Sequence, residues 1–249
     1  MDKRDILFIT VIIILIAILA IVLLTTNTKS EKSSTIGSIL GKDTKASNLN
    51  NYIDEMRNSQ TLKQRQDTIR LYLNTLEKGS KNPGKTQSPE DAPQVCELTT
   101  DLIEGDNVIE SKAEKLAKYI FDETEYDWGN VVIDATGKPR IRAKKLPTEV
   151  LEQKKGLCGE LAKTYVLMGE CTNLPIYFIY GGGHAWNVLL VGEQLVEVDT
   201  TQGCFDCNPL DDQHNYPVYG LCSRDKCITM NQIVALASQT NIFDQTLIG

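Results

Sequence analysis

The sequence is poor in histidine and in clustered basic residues, and both shortages restrict its function. Only two histidines, His184 and His214, occur among the 249 residues, so a histidine that acts as a base must be one of these two. The formal net charge is −7 at pH 7. The longest basic cluster, Arg140 to Lys145, is too short to neutralise a phosphate backbone and is interpreted as a solvated strand or loop edge. Nucleic acid is therefore not an expected partner.

Long apolar runs are also absent, with one exception near the N-terminus. Residues 6–24 carry no charge and contain Thr10 as their one polar side chain. As a helix they would be roughly 28 Å long, close to the hydrocarbon thickness of a bilayer. A cleaved signal peptide is the alternative, but its apolar region is usually shorter and ends in small residues, whereas Thr25-Thr26-Asn27-Thr28 follows here. The sequence therefore predicts a transmembrane anchor after a short tail, residues 1–5.

The charges that flank the anchor predict its orientation. Lys3 and Arg4 precede it, and Lys29 and Lys32 follow it. The positive-inside rule and the short N-terminal tail together favour an N-terminus inside the cell. The remainder of the chain would then lie outside the cytoplasm, as the body of a single-pass membrane protein.

Composition divides the rest of the chain into four segments. Residues 25–48 are rich in Ser, Thr, Lys and Gly and predict a flexible tether. Residues 49–78 have apolar residues at loosely helical spacing, which predicts a helical stalk. Three roles are open for this stalk: it binds a partner or a second copy, it spaces the domain from the membrane, or it packs on the main domain. Residues 79–93 predict a linker. Residues 94–249 are long enough for one compact domain.

Hydrophobic periodicity in that domain predicts a helix that packs on a sheet. The helix is expected to begin at Cys158. One side of it carries Leu161, Tyr165 and Met168. The extended apolar runs that follow are residues 176–180, 184–191 and 194–199. The predicted class is therefore α+β, with the helix against an antiparallel sheet.

Three residues needed for covalent attack on an amide follow one another in this region. Cys158 begins the predicted helix, His184 begins a predicted strand, and Asp199 ends the next strand. A cysteine attacks a carboxamide as thiolate, so it needs a base, and that base needs a third group that fixes its tautomer. Asp199 is expected to hold Nδ1–H of His184, and the helix N-terminus is expected to lower the pKa of Cys158. The acidic neighbours Glu160 and Glu197 are interpreted as solvent-facing.

The sequence around these residues resembles the transglutaminase-like core. The similar runs are Gly156–Ala162, Leu174–Ile176, Gly183–Val188 and Val196–Thr200, with a helix and a Tyr-Asp segment upstream at Ala113–Trp128. The resemblance covers the chain from about Cys96 onwards. It implies a transglutaminase-like, papain-like fold and a thiol enzyme, without a cofactor, in which Cys158, His184 and Asp199 are catalytic.

The resemblance also implies weaker candidates for the substrate pocket. Besides the backbone N–H of Cys158, Tyr126 or Trp128 is a candidate second donor to the oxyanion. Strand alternation puts His184 and Trp186 on one face. Trp186 is either a wall of the acyl pocket or a core aromatic residue.

The seven cysteines leave an even number once Cys158 is set aside. Cys204, Cys207, Cys222 and Cys227 form either two disulfides or a four-thiolate zinc site. An extracytoplasmic location favours disulfides, and nearby aspartates disfavour a zinc–thiolate site. The remaining two, Cys96 and Cys171, are a candidate third bridge between the start of the domain and the end of the nucleophile helix.

The expected activity is hydrolysis of peptide or isopeptide amide bonds through an acyl-enzyme on Cys158. Acyl transfer to an amine, which cross-links proteins, starts from the same intermediate. The sequence contains no Asp-x-Asp-x-Asp-Gly run, so it has no motif for a calcium-regulated cross-linker. A membrane-tethered binding module without turnover is the non-enzymatic alternative. The expected partners are a protein or peptide substrate and the membrane, with the stalk as a candidate for self-association.

Overall fold

The structure, a computed structural model, describes residues 62–84, 86–207 and 216–239. The predicted tail, anchor and tether, residues 1–48, lie outside these ranges. Among the described residues, no helix combines the length and hydropathy needed to cross a bilayer. The described residues from Leu62 to Val234 belong to one compact unit.

The elements alternate between helices and short or medium strands. The described helices are α1 (Leu62–Thr75), α2 (Pro93–Leu102), α3 (Ile109–Glu123), α4 (Pro147–Gln153), α5 (Cys158–Cys171) and α6 (Met230–Gln239). The described strands are β1 (Ser80–Lys81), β2 (Glu125–Tyr126), β3 (Val131–Ile133), β4 (Pro139–Ile141), β5 (Lys155–Gly156), β6 (Ile176–Gly181), β7 (His184–Val191), β8 (Gln194–Asp199), β9 (Cys204–Phe205), β10 (Gly220–Cys222) and β11 (Lys226–Thr229). Helix α5 and strands β6, β7 and β8 begin at the predicted residues.

One antiparallel sheet organises the unit. Its strand order is β1-β11-β10-β6-β7-β8-β9, so β7 has a partner on each side. Two small sheets lie apart from it: the parallel pair β2–β5 and the antiparallel pair β3–β4. The predicted α+β class, with a helix packed on an antiparallel sheet, is confirmed.

Helix α5 fills the core on one face of the large sheet. Its apolar side recurs at helical spacing and is buried, as the periodicity predicts. These buried positions are Leu161, Tyr165 and Met168. They pack with Leu189 and Val198 of the sheet in a single core cluster. In addition, the Asn187 side chain donates a 2.9 Å hydrogen bond to the Ala162 carbonyl, which ties β7 to the helix.

Helix α1 packs against the strands on the far side of the domain from that cluster. Successive side chains of a strand point to opposite faces, and Trp186 and Val188 are buried without belonging to the α5 cluster. Ile69 and Tyr72 of α1 are fully buried, and α1 contacts β10 and β11. Of the three alternatives for the predicted stalk, the described part packs on the main domain. The compact unit therefore begins N-terminal to residue 94, the predicted start of the domain.

Three disulfides brace this unit. The pairs are Cys96–Cys171, Cys204–Cys207 and Cys222–Cys227. The first joins α2 to the end of α5, with its two Cα atoms 5.0 Å apart. The third links β10 and β11 at directly opposite positions. The four C-terminal cysteines therefore form two disulfides and not one four-thiolate cluster, and Cys158 remains the free thiol.

Candidate active site

A tight hairpin presents His184 at the end of the sheet. Gly182 and Gly183 connect β6 to β7 with φ angles of +58° and +81°. Two consecutive positive φ angles suit a two-residue hairpin and are adopted by glycine without steric cost. His184 is thus the first residue of β7 and pairs with Gly181.

Asp199 lies at the end of the neighbouring strand and holds the imidazole. Its Oδ2 is 2.7 Å from Nε2 of His184. Its Oδ1 accepts backbone hydrogen bonds from Thr201 at 2.9 Å and Gln202 at 3.2 Å, so the carboxylate is fixed on both sides. The expectation that Nδ1 faces Asp199 is wrong. Because Nε2 contacts Asp199, Nδ1 is the ring nitrogen left for Cys158.

The start of α5 is fixed by a buried carboxylate. Glu160 accepts hydrogen bonds from the backbone N–H groups of Leu157 and Lys145, each at 2.9 Å. The bond from Leu157, the N-cap residue, is the capping-box contact of α5, and the bond from Lys145 ties the segment before α4 to the same carboxylate. Glu160 is only 7% exposed, so the interpretation of it as solvent-facing is wrong. It holds the helix turn that carries Cys158.

The thiol and the imidazole shift each other's pKa in opposite directions. Burial alone would raise the pKa of the Cys158 thiol. A hydrogen bond and the charge of His184, together with hydrogen bonds from Tyr126 and the Ala185 N–H, place that pKa below its ordinary value. Burial alone would lower the pKa of His184, but its contacts with Asp199 and Cys158 raise it to about 9. Both shifts favour the thiolate–imidazolium pair over the neutral pair.

Of the weaker candidates, Tyr126 lies at the nucleophile and Trp128 lies on the surface beside it. The parallel pair β2–β5 places Tyr126 opposite Gly156, and its hydroxyl shares a hydrogen bond with Cys158. Burial and the adjacent Cys158 raise the pKa of Tyr126 to about 12, so the phenol remains a donor. Trp128 is 73% exposed, with its ring centroid 4.5 Å from that of Tyr126. Their roles at an oxyanion or a substrate stay predictions.

Trp186 shares the face of His184 but lies beneath it. The two rings are nearly parallel, with centroids 6.1 Å apart, and Trp186 is only 3% exposed. Its Nε1 donates a 2.8 Å hydrogen bond to Oε2 of Glu197. This is the core position that was the alternative to a pocket wall.

Glu197 is not solvent-facing, because an arginine of α1 pairs with it. Arg65 donates from Nε and Nη2 to the two carboxylate oxygens, each at 2.6 Å. The side chains of Arg65 and Glu197 are 2% and 7% exposed. Removing one partner of such a buried pair costs about 3–5 kcal/mol. Sequence reasoning missed Arg65, although a lone arginine on the apolar side of a predicted helix was a usable signal.

Together these contacts bring the three residues predicted to be catalytic into one hydrogen-bonded array. Cys158, His184 and Asp199 supply a nucleophile, a base and an orienting carboxylate, which are the components of covalent acyl transfer. In the part of the chain that the structure describes, no group of three or more His, Cys, Asp or Glu side chains could hold a metal ion.

Comparison with known proteins identifies the core. Residues 96–200 match the family model of the transglutaminase-like superfamily, which confirms the resemblance predicted from the sequence. No curated protein matches the chain.

Solved structures that align with this chain include a candidate cysteine protease from Cytophaga hutchinsonii and LapG of Legionella pneumophila. The Cytophaga protein is 13% identical with a TM-score of 0.36, and the alignment covers 59% of this chain and 54% of that one. The chain thus spans about half the length of that relative. LapG is 11% identical with a TM-score of 0.42, over 65% of this chain and 99% of LapG.

Proposed function

We propose that this chain, whose residues 96–200 form a transglutaminase-like core, is a membrane-anchored thiol hydrolase of peptide or isopeptide amide bonds. The observation that carries the proposal is the Cys158–His184–Asp199 array. In it, the thiol pKa is lowered and the imidazole pKa is raised to about 9. A buried cysteine without such partners would have a raised pKa and little reactivity.

The reaction follows from the positions of these groups. The Cys158 thiolate attacks the carbonyl carbon of an amide, and the negative charge moves to the carbonyl oxygen. The N–H of Cys158 is a donor to this oxyanion, and the Tyr126 hydroxyl is the second candidate. The imidazolium of His184 then gives its Nδ1 proton to the leaving amine as the carbon–nitrogen bond breaks. An acyl thioester on Cys158 remains.

Water resolves the thioester in the proposed reaction. Neutral His184 takes a proton from water, and the resulting hydroxide attacks the acyl carbon. The carbon–sulfur bond breaks, a carboxylic acid leaves, and the thiolate–imidazolium pair is restored. Asp199 stabilises the imidazolium and fixes the ring throughout.

Isotope labelling tests hydrolysis against its alternatives. The full chain is incubated with a mixed peptide pool in heavy-oxygen water, with and without an added primary amine. We expect one heavy oxygen in each new carboxylate and a transient acyl group on the Cys158 peptide, both detected by mass spectrometry. The matched control is Cys158→Ala. Products that carry the amine would establish acyl transfer, and the absence of both label and acyl group would indicate a binding module.

The disulfides support an extracytoplasmic location for the domain. Disulfides form and persist in oxidising compartments, and this domain has three of them. Residues 6–24 are proposed as the anchor that places the domain in such a compartment. An N-terminus inside the cell, as the flanking charges favour, leads to the same side of the membrane.

Intact mass of the protein purified from its native membrane checks this location. Reduction should add two hydrogens for each of the three bridges, while Cys158 alone reacts with iodoacetamide before reduction. Protease added outside intact cells should degrade the domain. Free thiols with bound zinc, together with protection from that protease, would contradict both the disulfides and the orientation.

A further inference from the structure

The face of the sheet that carries His184 is connected to α1, which lies before the family-matched region. His184 and Trp186 are two positions apart on β7, so their side chains point to the same face of the sheet. The same holds for Glu197 and Asp199 on β8. Because Asn187 pairs with Val198, these four residues share the face opposite to α5. Arg65 of α1 is buried against the same face.

The Arg65 guanidinium joins two supports of the imidazole. Through Nε and Nη2 it fixes Glu197, whose Oε2 also accepts the Trp186 indole N–H at 2.8 Å. Through Nη1 it donates a 2.5 Å hydrogen bond to the Tyr216 carbonyl. Its central carbon is also 5.3 Å from the centroid of the Trp186 ring, a favourable cation–π distance.

Both supports contact His184 directly. The Trp186 ring lies nearly parallel to the imidazole. The Tyr216 ring is on a different segment of the chain, with its centroid 4.5 Å from that of His184. The two aromatic rings are themselves 5.8 Å apart. The imidazole is therefore flanked by two rings, one of which faces the Arg65 guanidinium while the other belongs to a residue whose backbone carbonyl accepts from it.

We infer that Arg65 is a positioning residue for His184, acting through Glu197–Trp186 on one side and Tyr216 on the other. The inference rests on the proposed function, because it concerns the same imidazole. It makes α1 part of the catalytic unit.

The geometry also explains why arginine is required. One planar group binds a carboxylate bidentately and still has a third nitrogen for a carbonyl. A lysine offers one point charge and cannot span both partners in this way. Arg70, on the same helix, provides a matched comparison, because its guanidinium donates to the Glu193 carbonyl in an exposed hydrogen bond.

The test compares Arg65→Met with Arg70→Met in the full chain, by two readouts that need no substrate. The first is the rate at which iodoacetamide alkylates Cys158, the free thiol, at mildly acidic pH. The second is the NMR signal of the His184 ring proton, which is sensitive to the ring currents of its aromatic neighbours. The second histidine of the sequence is assigned with His214→Gln.

We expect Arg65→Met to slow alkylation about tenfold or more, since small displacements of a catalytic group have large effects on rate. The His184 signal should shift towards that of an unstacked imidazole. Arg70→Met should change neither readout. Arg65→Lys should recover part of the alkylation rate, because it restores the charge but not the two-sided contact.

A double variant covers the case in which Arg65→Met fails to fold because Glu197 is left unpaired. Arg65→Met with Glu197→Gln removes the buried charge and keeps an oxygen that accepts from Trp186. This variant should fold, as its thermal unfolding will show, and should still alkylate more slowly than the wild type. Wild-type alkylation and an unshifted His184 signal in a folded Arg65 variant would overturn the inference and leave the proposed function standing. A wild-type thiol that alkylates like ordinary cysteine would instead overturn the proposed function, while the NMR signal still reports on Arg65.

Discussion

Replacing Cys158 with alanine is expected to abolish turnover and to leave the fold intact. In the proposed reaction the thiolate forms the covalent bond to the acyl group, so no other side chain of the array can substitute for it. In enzymes of this type, loss of the nucleophile costs about 10⁴-fold or more in kcat. Release of carboxylic acid from the peptide pool measures the effect.

The fold should persist because the side chain is small and only half-buried. The start of α5 is held by Glu160, which the substitution does not touch. Thermal unfolding of Cys158→Ala should therefore match that of the wild type. Comparable turnover by this variant and the wild type would eliminate the assignment of Cys158 as nucleophile.

Replacing His184 with alanine is expected to remove the reactivity of Cys158 below neutral pH. In the wild type the thiol pKa lies below its ordinary value, so at mildly acidic pH the thiolate fraction exceeds that of an ordinary cysteine. The imidazolium partner persists until pH rises through about 9. Without the imidazole, burial raises the thiol pKa, and the alkylation rate should rise only near or above the ordinary value of about 8.5.

The magnitude follows from the fraction of thiolate. Below the midpoint, each unit by which the thiol pKa rises lowers the thiolate fraction about tenfold, and the alkylation rate at mildly acidic pH should fall in the same proportion. The measurement is the iodoacetamide rate as a function of pH. His214→Ala is the matched control and should follow the wild-type curve. An unchanged curve for His184→Ala would show that the pair does not exist.

Local patterns were sufficient to locate the main elements of the site. The start of α5 at Cys158 and the starts of β7 and β8 were predicted because helical and strand periodicity depends on residues close in sequence. The order of Cys, His and Asp along these elements then determined which residues meet.

The charged residues show where local patterns fail. Glu197 looks like an ordinary exposed acid in sequence, and its partner Arg65 is 132 positions away. Glu160 likewise looks solvent-facing, although it caps its own helix and reaches Lys145 as well. Charged side chains are rarely fully buried unless paired. The pattern of residues close in sequence does not predict a pair whose members are far apart in the chain.

The sequence by itself determined the α+β class, the nucleophile helix, the strands beside it and the three residues of the candidate active site, because each depends on periodicity or on a family motif. Only the tertiary structure decided three further features: Nε2 of His184 faces Asp199, the cysteines after β8 form disulfides, and α1 packs behind the imidazole. The physical reason is that each depends on how distant segments approach, and local periodicity does not specify which partners meet across those segments.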